Sequence, residues 1–291
     1  GQFAYVANLG SNNVSVINTV SNTVVATIPV GLNPRSVAIT PNGQFAYVTN
    51  EFTNNVSVIN TASNIVFTTI PVGSSPRGIA ITPNGTFAYV ANTFSNTVSV
   101  INIASNTVVA TISVSGDSIA ITPNGQFAYV SNLNNYVSVI NTVSNTVVAT
   151  IPVGLSPRGV AITPNGQFVY VTNNSFPNNV SVISTASNTV VATIPVGLSP
   201  RGVAITPNGQ FAYVTNQGGN NISVISTASN TVVATIPVGL NPTSVAITPN
   251  GQFAYVTNAT TNNVSVISTA SNTVVATIPV GLFPYGIAIL P

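Results

Sequence analysis

Histidine, lysine, cysteine, methionine and tryptophan are all missing from this 291-residue chain. The only charged side chains are four arginines, one glutamate and one aspartate, 2% of the sequence. An ordinary soluble domain carries roughly 25% charged residues. Each absence excludes something. Without cysteine there are no disulfides, zinc–cysteine sites or thiol nucleophiles. Without histidine and lysine the usual general bases are missing. An excess of two positive charges is too small for a surface that tracks phosphates, so no nucleic acid partner is expected. Every apolar run is broken by Pro, Asn or Gly well short of the roughly 20 residues of a membrane helix, so no membrane insertion is expected. The chain starts at Gly1 in mid-pattern without Met, which reads as a processed or excised domain.

What the sequence does contain is Val, Ile, Ala and aromatics, with a hydrophobic share of 45%, so it is not a disordered chain. It also contains a repeat. The Gly of GQF or GTF recurs at Gly1, Gly43, Gly85, Gly125, Gly166, Gly209 and Gly251, with spacings of 40 to 43 residues. The chain is seven repeats and almost nothing else, a single domain over residues 1–291. One repeat, from Gly43, reads FAYVTN, a variable centre, VSVINT, a TASN turn, IVFTTIPV, a GSSPR link and GIAIT. TPNG then turns the chain into the next copy. Asn-Gly and Ser-Asn between short β-branched runs are tight-turn chemistry. There is no helical periodicity. The expected fold is all-β: seven four-stranded antiparallel blades around an axis. Residues 1–30 supply only three strands of a blade. Tyr285–Ile289 matches the missing innermost strand, so the two ends of the chain should close the ring in one blade.

The tetrapeptide YVTN stands at Tyr47, Tyr170, Tyr213 and Tyr255, with YVAN at Tyr5 and Tyr89 and YVSN at Tyr129. Together with TPNG and IPVG, this resembles the YVTN β-propeller repeat family of prokaryotic surface-layer and secreted proteins. The resemblance covers the whole chain and implies an extracellular or cell-surface location. Members of that kind that act as lactonases or carry redox cofactors use histidine, cysteine or clustered acids, which are lacking here. No metal site, cofactor or catalytic residue is therefore expected.

In a four-stranded blade alternate turns lie on opposite faces of the disc. TPNG and TASN share one face. The variable turns and the links before each innermost strand share the other. All six charges fall on this second face. One position of the link reads Arg35, Arg77, Asp117, Arg158, Arg201, Thr243 and Tyr285 around the ring, and it should line the mouth of the central channel. Glu51 and the exposed tips Phe52, Phe94 and Phe176 sit in variable turns of the same face. Arginine forks suit carboxylate, sulfate or phosphate, and aromatics suit sugar rings. The candidate ligand site is thus Arg35, Arg77, Asp117, Arg158, Arg201 and Tyr285 with Phe52, Phe94 and Phe176. The alternative is that the arginines cap carbonyls between blades and recur because the repeat was copied, with Asp117 and Glu51 neutralising neighbours.

Asn-x-Ser/Thr acceptors occur at Asn13, Asn55, Asn84, Asn173, Asn179, Asn221, Asn258 and Asn263, either as glycan sites or as turn chemistry. The outermost strands carry no charge and end in Pro in six of the seven copies, with Ser113 the exception. Pro there guards an exposed edge against strand addition. On inventory, the expected function is non-enzymatic: a binding or adhesion module recognising surface polysaccharide or a protein partner. A self-assembling block of a surface layer, sheath or filament is the alternative. An engineered consensus propeller is a lesser one, disfavoured by the irregular third copy, SVSGDS at Ser113–Ser118.

Overall fold

The computed structural model describes residues Gly1–Pro291. It contains 28 strands in seven four-stranded antiparallel sheets. We number the blades from the one that closes the ring. The first blade pairs Pro284–Ile289, innermost, with Phe3–Asn8, Asn13–Asn18 and Thr23–Pro29. The second spans Pro34–Pro71, the third Pro76–Ser113, the fourth Ser118–Pro152, the fifth Pro157–Pro195, the sixth Pro200–Pro237 and the seventh Pro242–Pro279. Closure follows the expected register, with Ala4 opposite Ile289, Tyr5 opposite Ala288 and Val6 opposite Ile287. A last hydrogen bond runs from the Leu290 amide to the Phe3 carbonyl, 2.9 Å.

The turns are built on residues that tolerate the left-handed region. In TPNG, Gly43 has φ 70°, where a side chain would be strained. In the Ser-Asn turns the asparagine takes it, for example Asn22 at φ 54° and Asn64 at φ 55°. Both kinds of turn lie on one face of the disc. The variable turns pair with the links on the other, as where the Leu9 amide donates to the Phe283 carbonyl at 3.0 Å.

The two middle strands of each blade are covered on both sides: Ala46, Tyr47, Val48, Val56, Val58 and Ile59 are all fully buried. The innermost strand is only half-buried, because one of its faces lines the channel. Side-chain alternation divides each middle strand between two neighbours. Tyr5 and Ala7 pack with Ala46 and Val48 of the second blade, while Ala4 and Val6 pack with Tyr255 of the seventh. Each large tyrosine thus meets a cluster in which the next blade contributes a small alanine, except Tyr129, which meets Val169. Complementary volumes of this kind give interiors their density.

The tyrosines also carry a hydrogen bond from blade to blade. Tyr5 donates to Asn64 Oδ1, Tyr47 to Asn106, Tyr89 to Asn145, Tyr129 to Asn188, Tyr170 to Asn230, Tyr213 to Asn272 and Tyr255 to Asn22, all at 2.7–2.9 Å. Every acceptor belongs to the Ser-Asn turn of the following blade, and the last bond crosses the closure. Two of the Asn-x-Ser/Thr acceptors, Asn173 and Asn258, are fully buried. Their amides donate inward to Asn179 and Ser181, and to Asn263 and Ser265. They are structural and closed to glycan transfer.

Removing a latch has a defined cost. Tyr47→Phe leaves Asn106 Oδ1 unpaired and should lose about 1–2 kcal/mol in urea unfolding. Burial pushes the seven latch hydroxyls up from 10.0 to about 12. The folded state therefore favours the protonated phenols. That stability is fully present below the unfolded value of 10.0 and is lost as pH rises through about 12. Circular dichroism should show cooperative alkaline unfolding in that window, starting at lower pH in Tyr47→Phe.

Candidate functional site

Six of the seven innermost strands open with a fixed device. A buried proline pairs with the Asn that ends the neighbouring strand, and the ladder then skips one or two residues, as at Arg35 between the pairs Pro34–Asn50 and Ser36–Thr49. A residue left out of the ladder is re-aimed by the irregularity. Here it is aimed at the axis. Its carbonyl is held by the preceding blade: Thr49 donates to Arg77 O at 2.7 Å, Ser131 to Arg158 O at 2.5 Å, Thr172 to Arg201 O at 2.6 Å and Thr257 to Tyr285 O at 2.8 Å. Neighbouring innermost strands approach so closely that a Cβ on Gly78 would lie 2.7 Å from Ser118 Cα. Only glycine or serine follows the mouth residue at any blade.

The result is a cavity of about 110 Å³ at the channel mouth, lined by Arg35, Arg77, Asp117, Arg158, Arg201, Thr243 and Tyr285 with the glycines and serines behind them. The charges form a chain rather than a symmetric ring. Arg35 Nε donates to Glu51 Oε2 at 2.5 Å, and Arg77 Nε to Glu51 Oε1 at 2.9 Å. Arg77 Nη1 then donates to Asp117 Oδ1 at 2.9 Å, and Arg158 Nη1 reaches the same oxygen at 3.4 Å. Burial would raise the Glu51 carboxyl, but the charge and hydrogen bond of Arg35, with Arg77 and Ser75, hold it below its ordinary value. Burial would likewise lower Arg77, and its bonds to Asp117 and Glu51 raise it instead.

Arg201 stands outside this chain. Its Nη1 donates to the neutral Gln217 Oε1 at 2.8 Å, and no carboxylate pairs with it. Burial lowers it to about 10, helped by the like charge of Arg158. It therefore stays protonated at neutral pH. The Tyr285 ring lies between two guanidinium groups, 4.5 Å from Arg35 and 4.7 Å from Arg201, an arrangement that eases their mutual repulsion. Arg158 Nε is buried without a partner.

Six of the nine candidate residues therefore meet at one cavity: Arg35, Arg77, Asp117, Arg158, Arg201 and Tyr285. Phe52, Phe94 and Phe176 do not. They stand at the tips of their turns, 68%, 83% and 84% exposed, and none lines the mouth. Glu51 and Gln217 are the residues that sequence reasoning left out of the site. Both occupy the position directly after the Asn of YVTN, and both hold the arginine of their own blade. The signal was a polar residue at that position in repeats whose link carries Arg.

A family model described as "Lactonase, 7-bladed beta-propeller" matches residues 1–64, 60–191 and 187–277. The chain belongs to that family. No curated protein matches the sequence. Among solved structures the chain is similar to "Kuenenia stuttgartiensis Hydrazine Synthase", with 27% identity, a TM-score of 0.86 and 93% of each chain covered. It is also similar to a functionally unknown protein from Desulfotomaculum acetoxidans DSM 771, at 20% identity and TM-score 0.88, covering 99% of both chains. The third is "Dihydro-heme d1 dehydrogenase NirN in complex with DHE", at 14% identity and TM-score 0.74, covering 99% of this chain and 75% of that one. The last two likenesses show the fold alone.

The family match and the enzyme among these neighbours overturn the expectation of a non-enzymatic adhesion module, and with it the surface-layer and structural readings. Inventory alone misleads here for a physical reason. Missing His, Lys and Cys removes particular bases and nucleophiles. It does not remove a carboxylate that takes a proton from water beside guanidinium groups that stabilise an oxyanion.

Glu51→Gln should remove the only carboxylate that pairs with Arg35 and one of the two that pair with Arg77. With the arginine heads partly exposed, the expected loss is about 1–3 kcal/mol in urea unfolding at low salt, shrinking at high salt. A double variant with Arg35→Gln should lose less than the sum of the singles, because both changes break the same bond.

Proposed function

We propose that the protein is a hydrolase that opens small anionic lactones at the arginine-lined mouth. The observation that carries the proposal is the charge imbalance there. Four guanidinium groups face two carboxylates, and Arg201 has no carboxylate of its own. A desolvated cation at a small cavity lowers the energy of whatever negative charge is placed or formed beside it. Membership of the lactonase propeller family, and likeness to an enzyme chain at 27% identity, support the reading.

The roles follow from the geometry. Asp117 accepts from Arg77 and Arg158 through Oδ1 alone, which leaves Oδ2 for a water. That water attacks the lactone carbonyl carbon and gives its proton to Asp117. Arg201, steadied by Gln217 and Tyr285, stabilises the oxyanion of the tetrahedral intermediate. Collapse breaks the ring C–O bond, and the departing alkoxide takes the proton back from Asp117. The product is an open-chain hydroxy acid whose new carboxyl group ionises and releases a proton to solvent. Arg35 and Arg158 hold the anionic group that the substrate already carries. Thr243, buried and bonded to the Pro284 and Tyr285 carbonyls, fixes the ring wall opposite.

We read the repeats themselves as of the YVTN kind, supported by four YVTN copies and three close variants. We keep an extracellular location in the proposal, supported by a surface of Asn, Thr and Ser whose only charges are gathered at one mouth.

Hydrolysis of a panel of carboxylated and uncharged five- and six-membered lactones, followed by acid release, tests the function. The native chain should prefer the anionic lactones. Asp117→Asn should lower kcat by at least about 100-fold with KM little changed. Arg201→Gln should lower kcat and kcat/KM together by about 100-fold or more. Equal rates for all three proteins would remove the mouth from the reaction.

A further inference from the structure

The opposite face of the disc carries a second cavity, between the second and third blades, of about 440 Å³. The two TPNG turns and the third blade's Ser-Asn turn form its walls. Phe45 and Phe67 stand over it with ring centroids 5.8 Å apart. No charged side chain lines it. Three departures from the repeat converge on this one groove. Phe67 replaces the Val found at that position in the other six copies, Thr86 replaces Gln, and Ile103 replaces Thr.

Each departure alters the surface in a definable way. Phe67 is the residue left out by the bulge in its edge strand, between the pairs Val58–Thr68 and Ile59–Val66, so its ring is turned outward and is 64% exposed. In five other blades the Asn of TPNG donates its Nδ2 to the Gln two residues on, at 3.1–3.2 Å. With Thr86 in place of that Gln, Asn84 Nδ2 has no such partner. In six repeats the Thr at the Ile103 position donates its hydroxyl to the carbonyl of the Gly that opens the repeat. With Ile103 there, the Gly85 carbonyl receives no hydroxyl. One groove has therefore gained an exposed aromatic ring, a released amide donor and a released carbonyl acceptor, all without charge.

The groove between the fourth and fifth blades is an internal control. It has a similar volume, about 480 Å³, and the same turns. There Asn165 is held by Gln167 and the Gly166 carbonyl by Thr185, and Val148 stands where Phe67 would.

We propose that the groove at Phe67 binds a neutral sugar ring. A pyranose has an apolar C–H face that packs on an aromatic ring, and vicinal hydroxyls that both donate and accept. Asn84 Nδ2 and the Gly85 carbonyl provide the complementary donor-and-acceptor pair, beside the free amide hydrogens of Asn106, whose Oδ1 is taken by Tyr47. The cavity is in the size range of small-ligand sites. The absence of charge in its lining selects against acidic and amino sugars. This site is independent of the lactone reading, because it lies on the other face and shares no residue with the mouth.

The test is calorimetric titration with methyl glycosides of glucose, galactose, mannose and N-acetylglucosamine, with cellobiose and maltose, and with glucuronate as the charged arm. Three proteins are compared: the native chain, the Phe67→Val/Thr86→Gln/Ile103→Thr variant and Arg201→Gln. At least one neutral sugar should bind the native chain, and its Kd should rise at least tenfold in the triple variant. Arg201→Gln should bind that sugar as the native chain does. The triple variant regains two hydrogen bonds present in the other repeats, so its Tm should not fall, and loss of binding cannot be ascribed to unfolding. No neutral sugar bound by the native chain, undiminished binding by the triple variant, or binding of glucuronate alone would each overturn the proposal. The lactone assay on the triple variant should be unchanged, so either reading can fail without the other.

Discussion

The ring depends on one contact made seven times, a tyrosine of each blade seated in the apolar face of the next and bonded to its Ser-Asn turn. Blades have no covalent cross-link here, and only two carboxylates exist to pair with arginine. Hydrophobic burial alone is non-directional and would not fix the rotation of one sheet against another. The Tyr–Asn bond does so, because its acceptor sits on a backbone held in the left-handed region. Since the latch of the seventh blade lands on Asn22 of the first, the same bond that joins neighbours also closes the chain on itself. The axis, the channel and the position of the mouth all follow from that repeated geometry.

YVTN is therefore a structural motif with one task per letter. Tyr reaches forward to the next turn. Val fills the core toward the preceding blade. Thr or Ser holds the carbonyl of the next blade's mouth residue, a bond that the Ala7 and Ala91 copies cannot make. Asn turns back into its own blade, where Asn50 donates to Asn55 and Ser57 at 2.8 and 2.9 Å. The mouth is thereby built mainly from positions the motif leaves free: the residue after YVTN, and the residue after the link proline. Those are where Glu51, Gln217 and the arginines stand.

Much of this architecture is legible in the sequence. Seven evenly spaced glycines, Asn-Gly turns and a C-terminal strand matching the missing one specify blades, count and closure. The ring of Arg35, Arg77, Arg158 and Arg201 is legible because one register position recurs in every copy. What the sequence hides is contact between different positions. Glu51 lies in a variable turn and Arg35 at the start of an innermost strand, and only the pairing of link with variable turn brings them to 2.5 Å. The exposed phenylalanines mislead because a turn's length does not reveal where its tip points. The expectation of no catalysis misleads because a list of residue types says nothing about desolvation or about which charge is left without a counter-charge.

The third copy shows how a departure from the repeat reshapes the mouth. Losing its proline and arginine shortens the innermost strand to Ser118–Ile121 and puts Asp117 where symmetry would put a fifth arginine. Five adjacent cations in a narrow mouth would repel one another strongly, since little water intervenes. Asp117 relieves that repulsion by accepting from Arg77 and Arg158 together. Glu51 does the same for Arg35 and Arg77. The two acids sit on one side of the ring, so neutralisation is uneven and Arg201 is left with the neutral Gln217 as its partner. The rest of the surface carries no charge to compete with it or to bind counter-ions elsewhere. A broken repeat therefore does two things at once: it pairs two of the four arginines, and it leaves the unpaired one on the far side of the mouth.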